Sequence, residues 1–203
     1  MSKIVMVLAT YNKGKQREYE LLSMNSPIAL KGLSELEEIP PPDEEGRTFE
    51  EIATKKARAV SRMLAVPALA DDSGLAVEAL NGAPGVLSAR YAGGSADDSQ
   101  NIHRLLEEMR GKENRKATFY CSIALAKPGG LVLNYAGRCS GIILNEPAGA
   151  HGFGYDPIFY YPPLRKTFAQ LSPEEKNRVS HRGQAMRRFL NDLERILTWL
   201  GDR

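Results

Sequence analysis

Ile4-Val-Met-Val-Leu-Ala9, followed at once by Thr10-Tyr-Asn-Lys-Gly-Lys15, decides the fold. An unbroken apolar, β-branched run without alternation is a strand buried on both faces. It breaks into a polar loop at Thr10, and a helix is expected from that loop through Leu22. A buried strand delivering its chain directly to a helix opens an α/β unit.

Outward from there, Ile28–Leu33 supplies a second strand, and Glu37–Gly46, with three prolines and several acids, is a loop. Thr48 and Glu51 form a capping box ahead of Phe49, Ile52, Ala53, Val60, Met63 and Leu64, which recur at helical spacing to about Ala65. Pro67–Ala70 is a short apolar strand expected to end at Asp71-Asp72-Ser73-Gly74. Gly82–Gly94 is loop-rich, and a helix from about Asp98 to Met109 is closed by Gly111. Ala117–Ala126 alternates as a half-buried strand, turns at Pro128-Gly129-Gly130 into a hairpin partner, Leu131–Gly137, and a further strand is expected near Ile142–Leu144. Ser172-Pro173-Glu174-Glu175 starts a helix. A tail helix over about Gln184–Leu200 carries Met186, Phe189, Leu190, Leu193, Ile196, Leu197 and Leu200 on one stripe, fit for a core or a dimer face. Helices mixed with buried and hairpin strands indicate an α/β domain with a mixed sheet, one domain of two lobes over residues 1–203.

The whole chain narrows the function classes. A net charge of +2 over 203 residues argues for no nucleic-acid or membrane partner, yet allows a local cationic pocket for an anion. Cys121 and Cys139 make neither a disulfide framework nor a zinc pattern, and fit reduced thiols in a cytoplasmic protein. The apolar run after Met1 is far short of the ~20 residues of a membrane span.

Four segments can carry chemistry. Asp71 and Asp72, at the end of a buried strand, suit a hard cation such as Mg²⁺ or the orientation of a water, and equally suit a plain Asx-capped turn. Thr10, Tyr11, Asn12, Lys13, Gly14 and Lys15 put ammonium groups and helix N–H groups where a triphosphate would want them, without the Walker A pattern. Gly152-Phe153-Gly154-Tyr155-Asp156-Pro157 offers aromatics to stack on a base and an acid for its edge, or is a tight turn between strands. Lys176 and Ser180-His181-Arg182 offer donors for a keto oxygen or phosphate, or form a solvated helix junction.

Taken in order, these strings resemble one family, the inosine triphosphate pyrophosphatases, also called XTP/dITP diphosphatases. The matching runs are Ala9–Lys15, Thr48-Phe-Glu-Glu with Lys56-Ala57-Arg58, Ala70–Gly74, Gly82–Gly85 with Ser88–Gly93, Gly152–Pro157, Glu175-Lys176 and Ser180–Arg182. The resemblance implies an elongated mixed α/β sheet with two lobes around an active-site cleft, and a homodimer. It implies Mg²⁺-dependent hydrolysis of ITP, dITP and XTP to the monophosphate and pyrophosphate, clearing deaminated purines from the nucleotide pool. It makes Asp72 general base and metal ligand, with Glu44, or Glu45 beside it, as the second acidic ligand. Thr10 to Lys15 would hold phosphates, Ser73 would touch substrate, Phe153, Gly154, Tyr155 and Asp156 would clasp the base, and Lys176, His181 and Arg182 would discriminate it. The chain departs from the family at Tyr11, where a small residue is usual, and at Ile52, where Asn is common. Two other readings stand beside it: a pyrophosphatase for modified pyrimidine nucleotides, and a nucleotide-binding module without catalysis.

Overall fold

The structure, a computed structural model, describes residues 3–36, 39–40, 45–95, 97–129 and 131–201. Seven strands form one sheet: β1 (Ile4–Leu8), β2 (Ile28–Gly32), β3 (Ala68–Val77), β4 (Lys116–Ala126), β5 (Val132–Ile143), β6 (Phe159–Tyr161) and β7 (Lys166–Thr167). Their order is β2-β1-β3-β4-β5-β6-β7. The β2-β1-β3 side is parallel and the remainder antiparallel, so the mixed α/β sheet anticipated from the sequence is what the chain builds.

Helices cover the sheet: α1 (Lys13–Ser23), α2 (Phe49–Leu64), α3 (Asp98–Glu108), α4 (Pro173–Val179), α5 (His181–Asn191) and α6 (Leu193–Gly201). Successive strand residues point to opposite faces, so β3 serves two cores at once. Leu69 joins Met6, Leu8, Ile123 and Leu125 under α1, α5 and α6, whereas Ala68 and Ala70 join Val7, Ala124 and Ala126 under Ala53, Ala57 and Val60 of α2. A third core, with Leu75, Phe119, Phe159, Phe168, Leu105 and Met109, fills the other end.

Three expectations need correction, and two strands were not anticipated. Asp71-Asp72-Ser73-Gly74 is not a loop after a short strand: it lies within β3, paired to Ile123, Ser122, Cys121 and Tyr120 of β4. β1 pairs with β3 only as far as Leu8–Leu69, so from there on one edge of β3 is open. The Gly85–Arg90 3₁₀ turn takes over as neighbour, with Ser88 Oγ accepting from Leu75 N at 2.9 Å and donating to Gly85 O at 2.6 Å. A Cβ on Gly74 would come within 2.4 Å of both Gly85 O and Ser88 Oγ, which is why glycine ends the string.

Leu131–Gly137 and Ile142–Leu144 are not separate strands but parts of β5. Gly137 is no breaker; a Cβ there would meet His181 O at 2.1 Å, so it lets α5 lie against the sheet. The tail is two helices rather than one. The break falls at Asp192, whose carboxylate accepts a 2.5 Å hydrogen bond from Tyr135 of β5. Met186, Phe189 and Ile196 are fully buried, so the stripe is core. Finally β6 and β7, two short edge strands, carry too few residues to show a period in sequence.

Candidate functional site

A cavity of about 420 Å³ opens where β1 stops and β3 continues. Thr10, Asn12 and Lys15 enter from the start of α1, Asp72 and Ser73 from β3, and Ile52 from α2. Arg90 and Asp98 line it too, Asp98 beside the Phe153–Asp156 turn, and Lys176, His181 and Arg182 complete the lining. Crevices of this kind form where strand order reverses in an α/β sheet.

Alternation along β3 separates the two aspartates. Asp71 faces α1 and α5 and is fully buried, with Lys15 Nζ 3.1 Å from Oδ1 and Arg182 Nη2 3.2 Å from Oδ2. Burial opposes its ionisation, but Lys15, Arg182 and Lys56 outweigh it and hold its carboxyl far below the usual carboxylate range. Asp72 faces α2 and lines the cavity, with Lys56 Nζ 3.7 Å from Oδ1. Lys56 is itself buried. Asp71 is thus an anchor, and Asp72 is the carboxylate of the pair that reaches the cavity.

At the start of α1, Asn12 caps the helix by accepting from Lys15 N at 2.9 Å, and Thr10 Oγ accepts from Asn12 N at 3.2 Å. Gly14 lies against the Phe153 ring, where a Cβ would come within 2.5 Å of the ring carbon Cδ1. Tyr11 is 42% exposed and donates to the carbonyl of Ile39. Lys13 is exposed and does not line the cavity, unlike Lys15.

The Phe153–Asp156 turn and helices α4 and α5 share a charged interior. Asp156 is buried, and its Oδ2 accepts from Phe153 N at 2.9 Å and pairs with Lys176, so that oxygen is already engaged within the protein. A Cβ on Gly152, which has φ +78, would meet Asp156 Oδ2 at 2.1 Å. Gly154 N donates to Asp98 at 2.7 Å, and Tyr155 is buried with its hydroxyl donating to Ser88 O at 2.9 Å. Lys176 Nζ stands 4.8 Å and Arg182 Cζ 5.6 Å from the Phe153 ring centre, so that ring roofs both cations. Burial works against the Lys176 ammonium, but Asp156 and Glu18 outweigh it and raise its pKa.

Ser180 caps α5 by accepting from Gly183 N, which sets His181 and Arg182 in its first turn. His181 stacks on Phe119 at 4.6 Å with an interplanar angle of 9°. Burial, then Arg182 and Lys176, push its pKa well below the ordinary 6.5, so the ring is neutral. Its Nδ1 has no hydrogen-bond partner among the described residues. Arg182 donates to Asp71 and Glu18, and to Ser73 Oγ at 2.8 Å. Its Nη1 makes a single bond, to Glu18, and the residue lines the cavity.

Glu44 lies outside the described residues; Glu45 is exposed, its carbonyl accepting from Lys55 Nζ at 2.9 Å. Sequence reasoning missed Glu18 and the pairing of Lys56 with Asp72. Helical register was the available signal for the first, since Glu18 follows Gly14 and Lys15 by one turn. Both cysteines are buried and free, and burial raises each thiol to about 12.

Comparison with known proteins gives this geometry its kin. Residues 6–192 match the model of the Ham1 family. A dITP/XTP pyrophosphatase of Desulfotalea psychrophila is 51% identical over 98% of this chain and 89% of its own length. One of Syntrophobacter fumaroxidans is 48% identical over 100% of this chain and 88% of its own. A HAM1 protein of Coxiella burnetii superposes with a TM-score of 0.86 at 42% identity, covering 95% of this chain and 99% of that one. A structure from Mycobacterium abscessus described as a nucleoside-triphosphatase, dITP/XTP pyrophosphatase, gives 0.73 at 41% identity, over 92% and 99% of the two chains. Likeness of sequence and of fold, each over nearly the full length of the chain, places this protein in the Ham1 family.

Proposed function

We propose that this protein is a nucleoside-triphosphate pyrophosphatase that hydrolyses ITP, dITP and XTP to the monophosphate and pyrophosphate. The observation that carries the reading is that one cavity is lined by Asp72 and Lys15 together with Phe153, His181 and Arg182. Its relatives from Desulfotalea and Syntrophobacter bear the name of that activity.

The residues divide the work. The first turn of α1 directs free N–H groups and the positive end of its dipole toward bound phosphates. Lys15, and Lys56 behind Asp72, add positive charge, which is most of what phosphoryl chemistry asks of a protein. Asp72 orients a water and takes its proton as the water attacks phosphorus. It lines the cavity, where a bound triphosphate would bring the water within its reach.

Mg²⁺ fits this donor set, since it takes one or two carboxylates and fills its remaining positions with phosphate oxygens and water. Asp72 supplies one such carboxylate at the cavity wall. When bound, the ion neutralises charge on the phosphates.

At the base end, Phe153 and the Phe119–His181 stack present aromatic faces to a purine. Arg182 and His181 donate toward O6 of a 6-keto purine. Adenine presents its own amino donors at that position, and such a polar mismatch discriminates strongly. Asp156 fixes Lys176 through Oδ2, which also accepts from Phe153 N.

Pyrophosphate release measured on ITP, dITP, XTP, dATP, dGTP, dUTP and dTTP, with and without Mg²⁺, tests the reading. We expect dITP and XTP to be turned over well ahead of the others. Equal turnover of dATP and dGTP would remove the substrate assignment, and a preference for dUTP would favour the pyrimidine reading. The same reading makes the chain one cytoplasmic domain that works as a homodimer; light scattering on the purified protein measures the assembly. No helix among the described residues is long and apolar enough to cross a membrane.

A further inference from the structure

Two adjacent acids at the start of α3 have different tasks. Asp97 caps the helix: its Oδ1 accepts from Gln100 N at 2.8 Å, and Gln100 Oε1 accepts from Asp97 N at 2.9 Å. Asp98, the first residue of the helix, takes no part in that box. It lines the cavity, and its Oδ2 accepts from Gly154 N at 2.7 Å, across 56 residues of chain. That is the one hydrogen bond of its side chain among the described residues. The helix it comes from is itself braced. Asn101, buried, accepts from Ala92 N at 2.7 Å and donates to Ala89 O at 3.2 Å, which ties α3 to the 3₁₀ turn beside β3.

The bond to Gly154 completes the hold on Phe153. The peptide before the Phe153 Cα is fixed by Phe153 N donating to Asp156 Oδ2, and the peptide after it by Gly154 N donating to Asp98. A residue has only two soft backbone angles, so fixing both flanking planes sets the direction in which the Phe153 side chain leaves the chain. The turn belongs to neither helix nor strand, and Gly152 and Gly154 within it take positive φ. Without a ladder of backbone bonds, its geometry depends on side-chain acceptors such as these.

We propose that Asp98 is a positioning residue for the nucleotide base: through Gly154 N it holds the Phe153 ring where a purine stacks on it. The proposal rests on the reading of the protein as an ITP/XTP pyrophosphatase. Asp72 and Lys15 lie on other elements, so loss of Asp98 should weaken binding and spare the chemical step.

The test compares steady-state kinetics with ITP, and calorimetry with a hydrolysis-resistant ITP analogue, in the wild type, Asp98→Ala and Asp98→Asn. In Asp98→Ala, KM and the analogue's Kd should rise about fivefold, the scale of one lost hydrogen bond, with kcat held within about twofold. Asp98→Asn keeps an oxygen that accepts from Gly154 N and should stay within about twofold of the wild type. Both variants lose the same charge from the helix N-terminus, so neither the dipole nor repulsion of phosphates accounts for a difference between them. In a Phe153→Leu background, Asp98→Ala should cost less than about twofold, because the ring it places is gone. A merely structural role would lower the active fraction, and so kcat, with KM unmoved. That result, equal losses in the Ala and Asn variants, or full additivity with Phe153→Leu overturns the proposal. A wild type that binds the analogue but turns over no ITP would instead sink the functional reading, and the calorimetric series then decides on Asp98.

Discussion

Asp71 and Asp72 are chemically identical neighbours with opposite fates, because a strand turns successive side chains to opposite faces. Asp72→Asn should lower kcat for ITP by at least about 10²-fold, the scale of a lost general base. Nucleotide affinity, read by calorimetry, should stay within roughly tenfold, or ~1.4 kcal/mol. Intact turnover in that variant would remove Asp72 from the role of general base. Asp71→Asn should act on stability instead, costing about 3–5 kcal/mol in denaturant titrations, since it strips Lys15 and Arg182 of a buried acid. Because the folded-state pKa of Asp71 is depressed, its contribution is whole above the unfolded value of ~3.9 and is lost as pH falls below it. His181 adds a second window. Its folded pKa is also lowered, so the unfolded chain takes up a proton near pH 6.5 that the folded chain refuses. Stability should therefore decline from pH 7 to pH 5, and the slope of Tm against pH over that range should be shallower in His181→Phe. Tm curves that run parallel for the two proteins would show that the imidazole takes up its proton alike in the folded and unfolded chain.

Among the elements, α5 depends on two local features: its Ser180 cap and the bare backbone of Gly137 beneath the His181 carbonyl. Gly137→Ala should destabilise by about 1–3 kcal/mol, the usual cost of overpacking, and should raise KM for ITP because it lifts the turn that carries His181 and Arg182. Urea unfolding and steady-state kinetics read the two effects separately. The same glycine explains why β5 was hard to see. In sequence Gly137 and Gly141 punctuate the strand as breakers, and only the packed helix reveals why they are there. Elements with their own long period were legible: β1, α1, α2, α3 and β4 fall within a residue or two of their expected bounds. The Thr48 and Ser172 caps are also as expected, although Glu51 reaches back to Arg47 N instead of closing a box on Thr48. The short β6 and β7, and the split at Asp192, are set by partners distant in the chain and left no local trace.

For the molecule as a whole, the cavity gathers residues from both ends of the chain, Thr10 to Arg182. Binding at such a site should stabilise all of it: an ITP analogue resistant to hydrolysis, at about 100 times its Kd, should add about 2.7 kcal/mol and raise Tm. Chelation of divalent metal should abolish turnover yet leave the Tm of the nucleotide-free protein where it was. A drop in that Tm would mean the ion belongs to the fold and not to the reaction. The site's chemistry-bearing segments were legible in the sequence as strings. Their division of labour was not, because it depends on which groups spend their charge on one another. Asp156 and Lys13 show this, one engaged internally and the other turned to solvent.

The alternation that parts the two aspartates also makes the frame of β3 unforgiving. Ten successive residues of β3 pair with β4, and a slip of one position would exchange the inward and outward sets wholesale. The acid that now anchors Arg182 would be turned to the cavity, and the one that lines the cavity would be interred among cations. A single-residue insertion between Ala68 and Asp71 is thus a heavier lesion than most substitutions there, because it keeps every side chain and misassigns each.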